Sequence, residues 1–363
     1  MNIPSADKNN PDKIRDSAYM MHFGKQPVYH WAIYLTLGAI TAILFVLINT
    51  LNSTYSINTH SHSTVVQNLK APSLVKAKHE ATDKLIEKLK LHGLWKIDPS
   101  QKVPRFFIKS YPDDLYALNE IPLKKKVFLH SLLPHALFVR EQALRKRQRL
   151  ESIISKIDCS LKDINFDIGL EFESECSWSG FLADDEIEFI QNLSRDYRTV
   201  SAEVLLERVD AVPTSIILAQ GAIESSWGSS RFTREGNSIF GMWTWKNKGI
   251  VPLMRDEGKT HKVRIYDSVL DSVRAYHLTL NRLDTYEDFR RFRKFTNDPL
   301  VMAEGLLSYS ERGEEYVKEV KRVIMSNNLL EYDGFILSDM DLPKSTGSVS
   351  KAGVSVNQDK APL

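Results

Sequence analysis

Twenty-one consecutive residues, Trp31 to Leu51, carry no charge, and this run constrains the chain more than any other feature. A helix of about 20 apolar residues spans the hydrocarbon core of a bilayer. A cleaved signal peptide has a shorter apolar core followed by a small-residue cleavage site. Here the run begins late and closes on Ile48-Asn49-Thr50-Leu51, which predicts a retained anchor; a buried globular helix is the other reading. Lys13, Arg15 and Lys25 precede the run, whereas the first lysine after it is Lys70. Positive residues stay inside. The expectation is therefore a single pass through the inner membrane, with a cytoplasmic N-terminus and a periplasmic or otherwise extracytoplasmic remainder.

The rest of the chain divides by pattern. Residues 1–30 are polar, and 52–121 read as a tether and linker, rich at first in Ser, Thr, His and Asn. Within the linker His60, His62 and His79 lack the framework of a metal site. Residues 122–179 form a basic helical region, with eight Lys or Arg against Glu141 alone between 122 and 150. That face either meets an anionic polymer or lipid, or is the solvated outside of a helical hairpin broken near Pro134. Cys159 and Cys176 lie 17 apart, and an oxidising compartment allows them to pair; two free buried thiols are the alternative. A globular domain follows over 180–335, and 336–363 lose periodicity and read as a disordered tail. Neither a metal motif nor a nucleotide motif occurs, so no cofactor and no nucleic-acid partner are expected. His261 and His277 are isolated.

The chemical signal lies between Pro213 and Gly228. Pro213 suits the first turn of a helix. Ile216, Ala219, Ile223 and Trp227 recur at three- and four-residue steps as an apolar stripe. Glu224 stands beside that stripe, the one acidic residue in an uncharged segment. A carboxyl at the edge of an apolar face has its pKa raised by desolvation, as a general acid working near neutral pH requires. Downstream, residues 246–266 alternate as a small hairpin or extended lobe. Asp267 to Leu283 return to helix with Ser268 as cap, and helices continue over Pro299–Leu307 and Glu314–Leu329.

Ala219-Gln220 with Glu224-Ser225 and Trp227-Gly228, then Asn237-Ser238-Ile239-Phe240-Gly241, then Tyr266-Asp267-Ser268, occur in order. They resemble the signature of glycoside hydrolase family 73, the β-N-acetylglucosaminidases of peptidoglycan, and the stretch Leu206 to Ser215 with the basic region from Lys124 onward resembles its bacterial Bax-type branch. The segment Gly305 to Tyr316 is similar to that family's late tyrosine motif, with spacing that departs by about a residue. The resemblance implies a mainly α fold, a lysozyme-like helical domain with a small β-hairpin lobe; the uncharged run at 31–51, outside the resemblance, adds a single transmembrane helix before it. It implies Glu224 as proton donor and Tyr309 as the tyrosine near it, placed to bond the acetamido group or position water. Glu257, 33 residues after Glu224, is the positional match for a second carboxylate from the lobe; otherwise the substrate's own N-acetyl group assists. Trp227, Phe240, Trp243 and Trp245 offer flat faces to sugars, with core packing the other role of Trp227. Asn237 and Gly241 shape the turn that closes the groove, and Gln220 reaches the sugar or braces Glu224.

The implied activity is cleavage of the β-1,4 bond between N-acetylglucosamine and N-acetylmuramic acid in peptidoglycan glycan strands. Two rivals stand beside it: a muramidase or lytic transglycosylase, and a non-catalytic peptidoglycan-binding envelope protein. Protein partners are not legible.

Overall fold

A computed structural model describes residues 74–75, 81–166, 182–246, 248–255 and 257–339. The chain divides into two units, Met1–Asn68 and Leu69–Leu363, and all described residues lie in the second. The expected anchor at 31–51, the segment 1–30, most of the tether, Cys176 and residues 340–363 fall outside the described residues. No described helix is long and apolar enough to cross a membrane.

The second unit is mainly helical. Its helices are α1 (Thr82–Leu91), α2 (Ile121–Ile154), α3 (Asp184–Tyr197), α4 (Ala202–Arg208), α5 (Thr214–Ser225) and α6 (Arg231–Gly236). They continue as α7 (Val269–Arg282), α8 (Glu287–Phe295), α9 (Pro299–Met302) and α10 (Glu314–Ser326), with tighter 3-10 turns at Asp113–Ala117, Asp284–Tyr286, Ala303–Tyr309 and Leu329–Gly334. Strand β1 (Leu74–Val75) runs parallel to β2 (Phe107–Ile108). The strands β3 (Trp243–Thr244) and β4 (Lys262–Val263) pair antiparallel, Trp243 opposite Val263, and an Ile250–Val263 bridge extends them. This ribbon is the small β-lobe expected over 246–266.

Helix α5 forms the middle of the core. Ten of its twelve residues are buried, and it packs against α2, α10 and the 329–334 turn. The apolar stripe read from sequence is therefore too narrow: α5 is apolar nearly all round, as a helix surrounded by others must be. A second apolar cluster joins Leu150 and Ile153 of α2 to Phe189, Ile190 and Leu193 of α3 and Leu205 of α4.

Three expectations are corrected. First, α2 is one continuous helix through Pro134, not a hairpin broken there. Proline in a helix interior costs about 3 kcal/mol, but every residue from Ser131 to Val139 is buried, and that packing offsets the lost hydrogen bond. Second, the linker expected as far as residue 121 ends by residue 81. Leu85, Leu89, Leu94, Phe107, Ile108 and Tyr111 all enter the main core, and the Asp114 carboxylate accepts from the Thr82 backbone N–H at 2.9 Å. Third, the tail starts later than residue 336. Val103 N–H donates to the Ile336 carbonyl and Ser338 N–H to the Val103 carbonyl, each at 2.8 Å.

Much of the basic face of α2 is consumed by pairing. Arg105 and Arg145 both meet Glu141 at 2.7 Å, Arg147 meets Glu151 at 2.8 Å, and Arg149 meets Asp185 at 2.8 Å. Cys159, just after α2, is disulfide-bonded.

Candidate active site

Glu224 sits in the last turn of α5, where the helix leaves the core. Only Ile223 and Glu224 of its twelve residues are partly exposed. Ser226, Trp227 and Gly228 then take positive φ values of 50°, 58° and 80°, so three successive left-handed residues stop the helix and turn the chain sharply. The Ser225 hydroxyl accepts from the Gly228 N–H at 2.8 Å. A Cβ at residue 228 would lie 3.0 Å from Phe128 and 3.1 Å from Leu115, so the close approach of α2 and the 113–117 turn requires glycine there. Helix α6 restarts under a Ser230 cap.

Four aromatic rings stand in contact behind the Glu224 carboxylate. Tyr309 stacks on Tyr316 at 5.5 Å with 7° between planes, Tyr276 meets Tyr309 edge-on at 6.2 Å, and Phe240 stacks on Tyr276 at 3.9 Å. A directed chain of hydrogen bonds links Tyr276, Gln220, Tyr316 and Glu224. The Tyr276 hydroxyl donates to Gln220 Oε1. Gln220 Nε2 donates to the Tyr316 oxygen at 2.9 Å, and the Tyr316 hydroxyl donates to Glu224 Oε1 at 2.7 Å. Because Oε1 is thereby an acceptor, a proton on Glu224 belongs on Oε2. That oxygen lies on the side of Gly241, whose hypothetical Cβ would be 3.9 Å from it. Gly241 has φ +61° and leaves room beside the proton-bearing oxygen.

Burial holds the Glu224 carboxyl above its usual range. The Tyr316 hydrogen bond and the Arg312 guanidinium pull it partly back, and Glu319 adds to the rise. Burial likewise pushes the Tyr316, Tyr276 and Tyr309 hydroxyls up, far from ionising at neutral pH. The site is thus one carboxyl disposed to keep its proton, with neutral phenols behind it.

The other expected residues fall into distinct places. Gln220 is fully buried, so it braces Glu224 through Tyr316 and does not reach a sugar. Phe240 is buried against Tyr276 and offers no face to a ligand, which corrects its expected stacking role. Asn237 is the left-handed cap of α6, and its Nδ2 donates to the Tyr266 carbonyl at 3.1 Å; it shapes the turn. Trp227 is half-buried, edge-on to Phe128 at 6.0 Å, with the Lys125 ammonium 4.7 Å above its ring. Trp243 is 56 % exposed; it stacks on His261 at 4.4 Å and meets Trp245 edge-on at 6.4 Å. Glu257 stands exposed in the loop between β3 and β4.

Tyr309 touches the cluster, but its hydroxyl donates to the Phe240 carbonyl at 3.2 Å. The tyrosine that bonds Glu224 is Tyr316. Sequence reasoning missed it, and Tyr276 with it. The available signal was a second tyrosine seven positions on in the same motif, Tyr309 to Tyr316.

Residues 201–329 match the family model described as Glucosaminidase: Mannosyl-glycoprotein endo-beta-N-acetylglucosaminidase. Protein bax of Escherichia coli (strain K12) is 34% identical over 129 residues, which are 34% of this chain and 46% of that protein. The chain thus spans less than half the length of that curated relative. The catalytic domain of the autolysin Auto from Listeria monocytogenes is 20% identical, over 40% of this chain and 85% of that one, with a TM-score of 0.27; that score is too low to carry an argument. Glu224, Glu257, Tyr309 and Tyr316 all fall inside the matched region, and over residues 201–329 this chain is similar to the glucosaminidase family.

Proposed function

We propose that the chain is a membrane-anchored peptidoglycan hydrolase that cuts the β-1,4 bond between N-acetylglucosamine and N-acetylmuramic acid, with Glu224 as general acid. One observation carries the assignment. Glu224 is a desolvated carboxyl at the end of a buried helix, fixed at Oε1 by Tyr316 and with Oε2 beside Gly241. Glycoside cleavage needs a proton delivered to the leaving oxygen as the C1–O bond breaks and an oxocarbenium-like centre forms. Glu224 Oε2 supplies that proton to O4 of the muramic acid residue. Water then adds at C1 and its proton passes to a base.

Tyr316 steers the donor, since its O–H occupies Oε1. Trp243 supplies a face for a sugar ring, and Tyr309 supports Tyr316 by stacking. Glu257 is the proposed second carboxylate, brought to the sugar by the β-lobe; without it, the acetamido oxygen of the substrate takes that role. A carboxyl at a helix end facing a small β-lobe is the arrangement expected of a lysozyme-like frame. The uncharged run at 31–51, with its basic N-terminal flank, supports an inner-membrane anchor and a catalytic domain in the periplasm.

Replacement Glu224→Gln keeps the Tyr316 hydrogen bond and removes the proton. Clearing zones in a zymogram of purified sacculi should vanish while sedimentation with sacculi persists. Undiminished clearing by the variant refutes the assignment.

A further inference from the structure

The loop joining β3 to β4 carries Leu253 and Met254 side by side, 86% and 95% exposed. They are the two most exposed large apolar side chains among the described residues. Two adjacent aliphatic side chains left this far in water are the place to look for an interaction surface. Two arginines tie the described part of the loop down. Arg231 donates to the Val251 carbonyl at 2.8 Å, tying one end to α6, and Arg255 donates to the His261 carbonyl at 3.2 Å across the loop.

Charge identifies the occupant. Between residues 243 and 265 the chain has six Lys or Arg and two acids, and Lys246, Lys248 and Lys259 are exposed. Trp245 in the same lobe is 70% exposed. Exposed aliphatic side chains in a loop that is rich in exposed bases, with an exposed indole in the same lobe, are what an anionic lipid interface selects. A second copy of this basic lobe would be repelled, and a sugar ring stacks on flat aromatic faces, which Leu253 and Met254 lack.

We propose that the β3–β4 loop is a second membrane contact, with Leu253 and Met254 entering the acyl boundary of an anionic bilayer and the lysines meeting its phosphates. The inference does not depend on the role of Glu224. It would hold the β-lobe against the bilayer, so that glycan close to the membrane is what the lobe receives.

The test uses the full chain with Met254→Cys carrying an environment-sensitive dye, the unsubstituted chain being labelled in parallel to subtract any signal from Cys159 and Cys176. Vesicles of phosphatidylcholine with phosphatidylglycerol should shift the dye emission to the blue, and brominated acyl chains should quench it. Phosphatidylcholine alone should do neither, and high salt should reverse the shift. A dye at Leu91→Cys, on α1, should stay unshifted. Adding Leu253→Asp should abolish the shift without changing lysis of sacculi in the absence of vesicles. Equal emission in both kinds of vesicle overturns the proposal. So does a shift produced by soluble peptidoglycan fragments, which would make the loop a glycan contact. Vesicle flotation, scored separately, reports whether the chain is anchored at all.

Discussion

Replacing Tyr316 by Phe tests the hydrogen-bond chain behind Glu224. The ring and its stacking on Tyr309 stay, so the substitution removes one hydroxyl and two hydrogen bonds. The buried Gln220 N–H loses its acceptor, which costs about 1–3 kcal/mol for an unsatisfied polar group. The bond to the Glu224 carboxylate is charge-assisted and worth about 1.5–3 kcal/mol when that group is ionised. The two losses share one residue and do not add fully, so we expect a destabilisation of about 2–4 kcal/mol. At ~2–4 °C per kcal/mol for a domain of this size, the Tm should fall by roughly 4–16 °C. The catalytic consequence has a definite sign. The Tyr316 bond lowers the Glu224 pKa, so its removal raises that pKa further. A general acid works while protonated, so the alkaline limb of kcat/KM against pH should move upward. The assay is turbidity loss of purified sacculi across a pH series, beside thermal unfolding by circular dichroism. A lowered Tm with an unmoved alkaline limb would reduce Tyr316 to a packing residue and refute the reasoning.

Three further outcomes follow from the same geometry. Glu224 has a folded pKa above its unfolded value, so the favourable state is fully present below the unfolded pKa and is lost as pH rises through the folded one; Glu224→Gln should therefore unfold at the same temperature as the parent at acid pH and at a higher one at alkaline pH. Gly241→Ala places a methyl group 3.9 Å from Glu224 Oε2 at φ +61°, with strain of about 1–2 kcal/mol, and lysis should fall by about 10–100-fold through displacement of the leaving oxygen while the Tm drops only a few degrees. Glu257→Gln should leave the Tm unchanged, since the side chain is exposed, yet lower kcat by about 100-fold if it is the second carboxylate; unaltered kcat assigns that role to the substrate acetamido group.

How far the molecule was legible depended on whether a feature was local. The helix bearing Glu224, its stop at Trp227-Gly228 and the Ser268 cap of α7 were readable because start and stop signals lie within a few residues of what they control. The partners of Glu224 were not. Tyr316 lies 92 residues away in sequence and Tyr276 lies 56 from Gln220, and only the packing of α5, α7 and α10 brings them together. The choice of Tyr309 over Tyr316 followed motif spacing, whereas hydrogen-bond geometry decides it. Burial was underestimated for a related reason. Phe240 looked like a sugar platform because its sequence neighbours are aromatic and turn-forming, and nothing local shows that Tyr276 covers it. The continuous α2 shows the same limit: Pro134 reads as a breaker until the core around it is known.

Products of sacculus digestion test the central claim most directly. Muropeptides released by the unsubstituted chain, reduced with borohydride and identified by mass spectrometry, should end in N-acetylglucosaminitol, and Glu224→Gln should release none. Muramitol ends or 1,6-anhydromuramyl products in place of N-acetylglucosaminitol would contradict it.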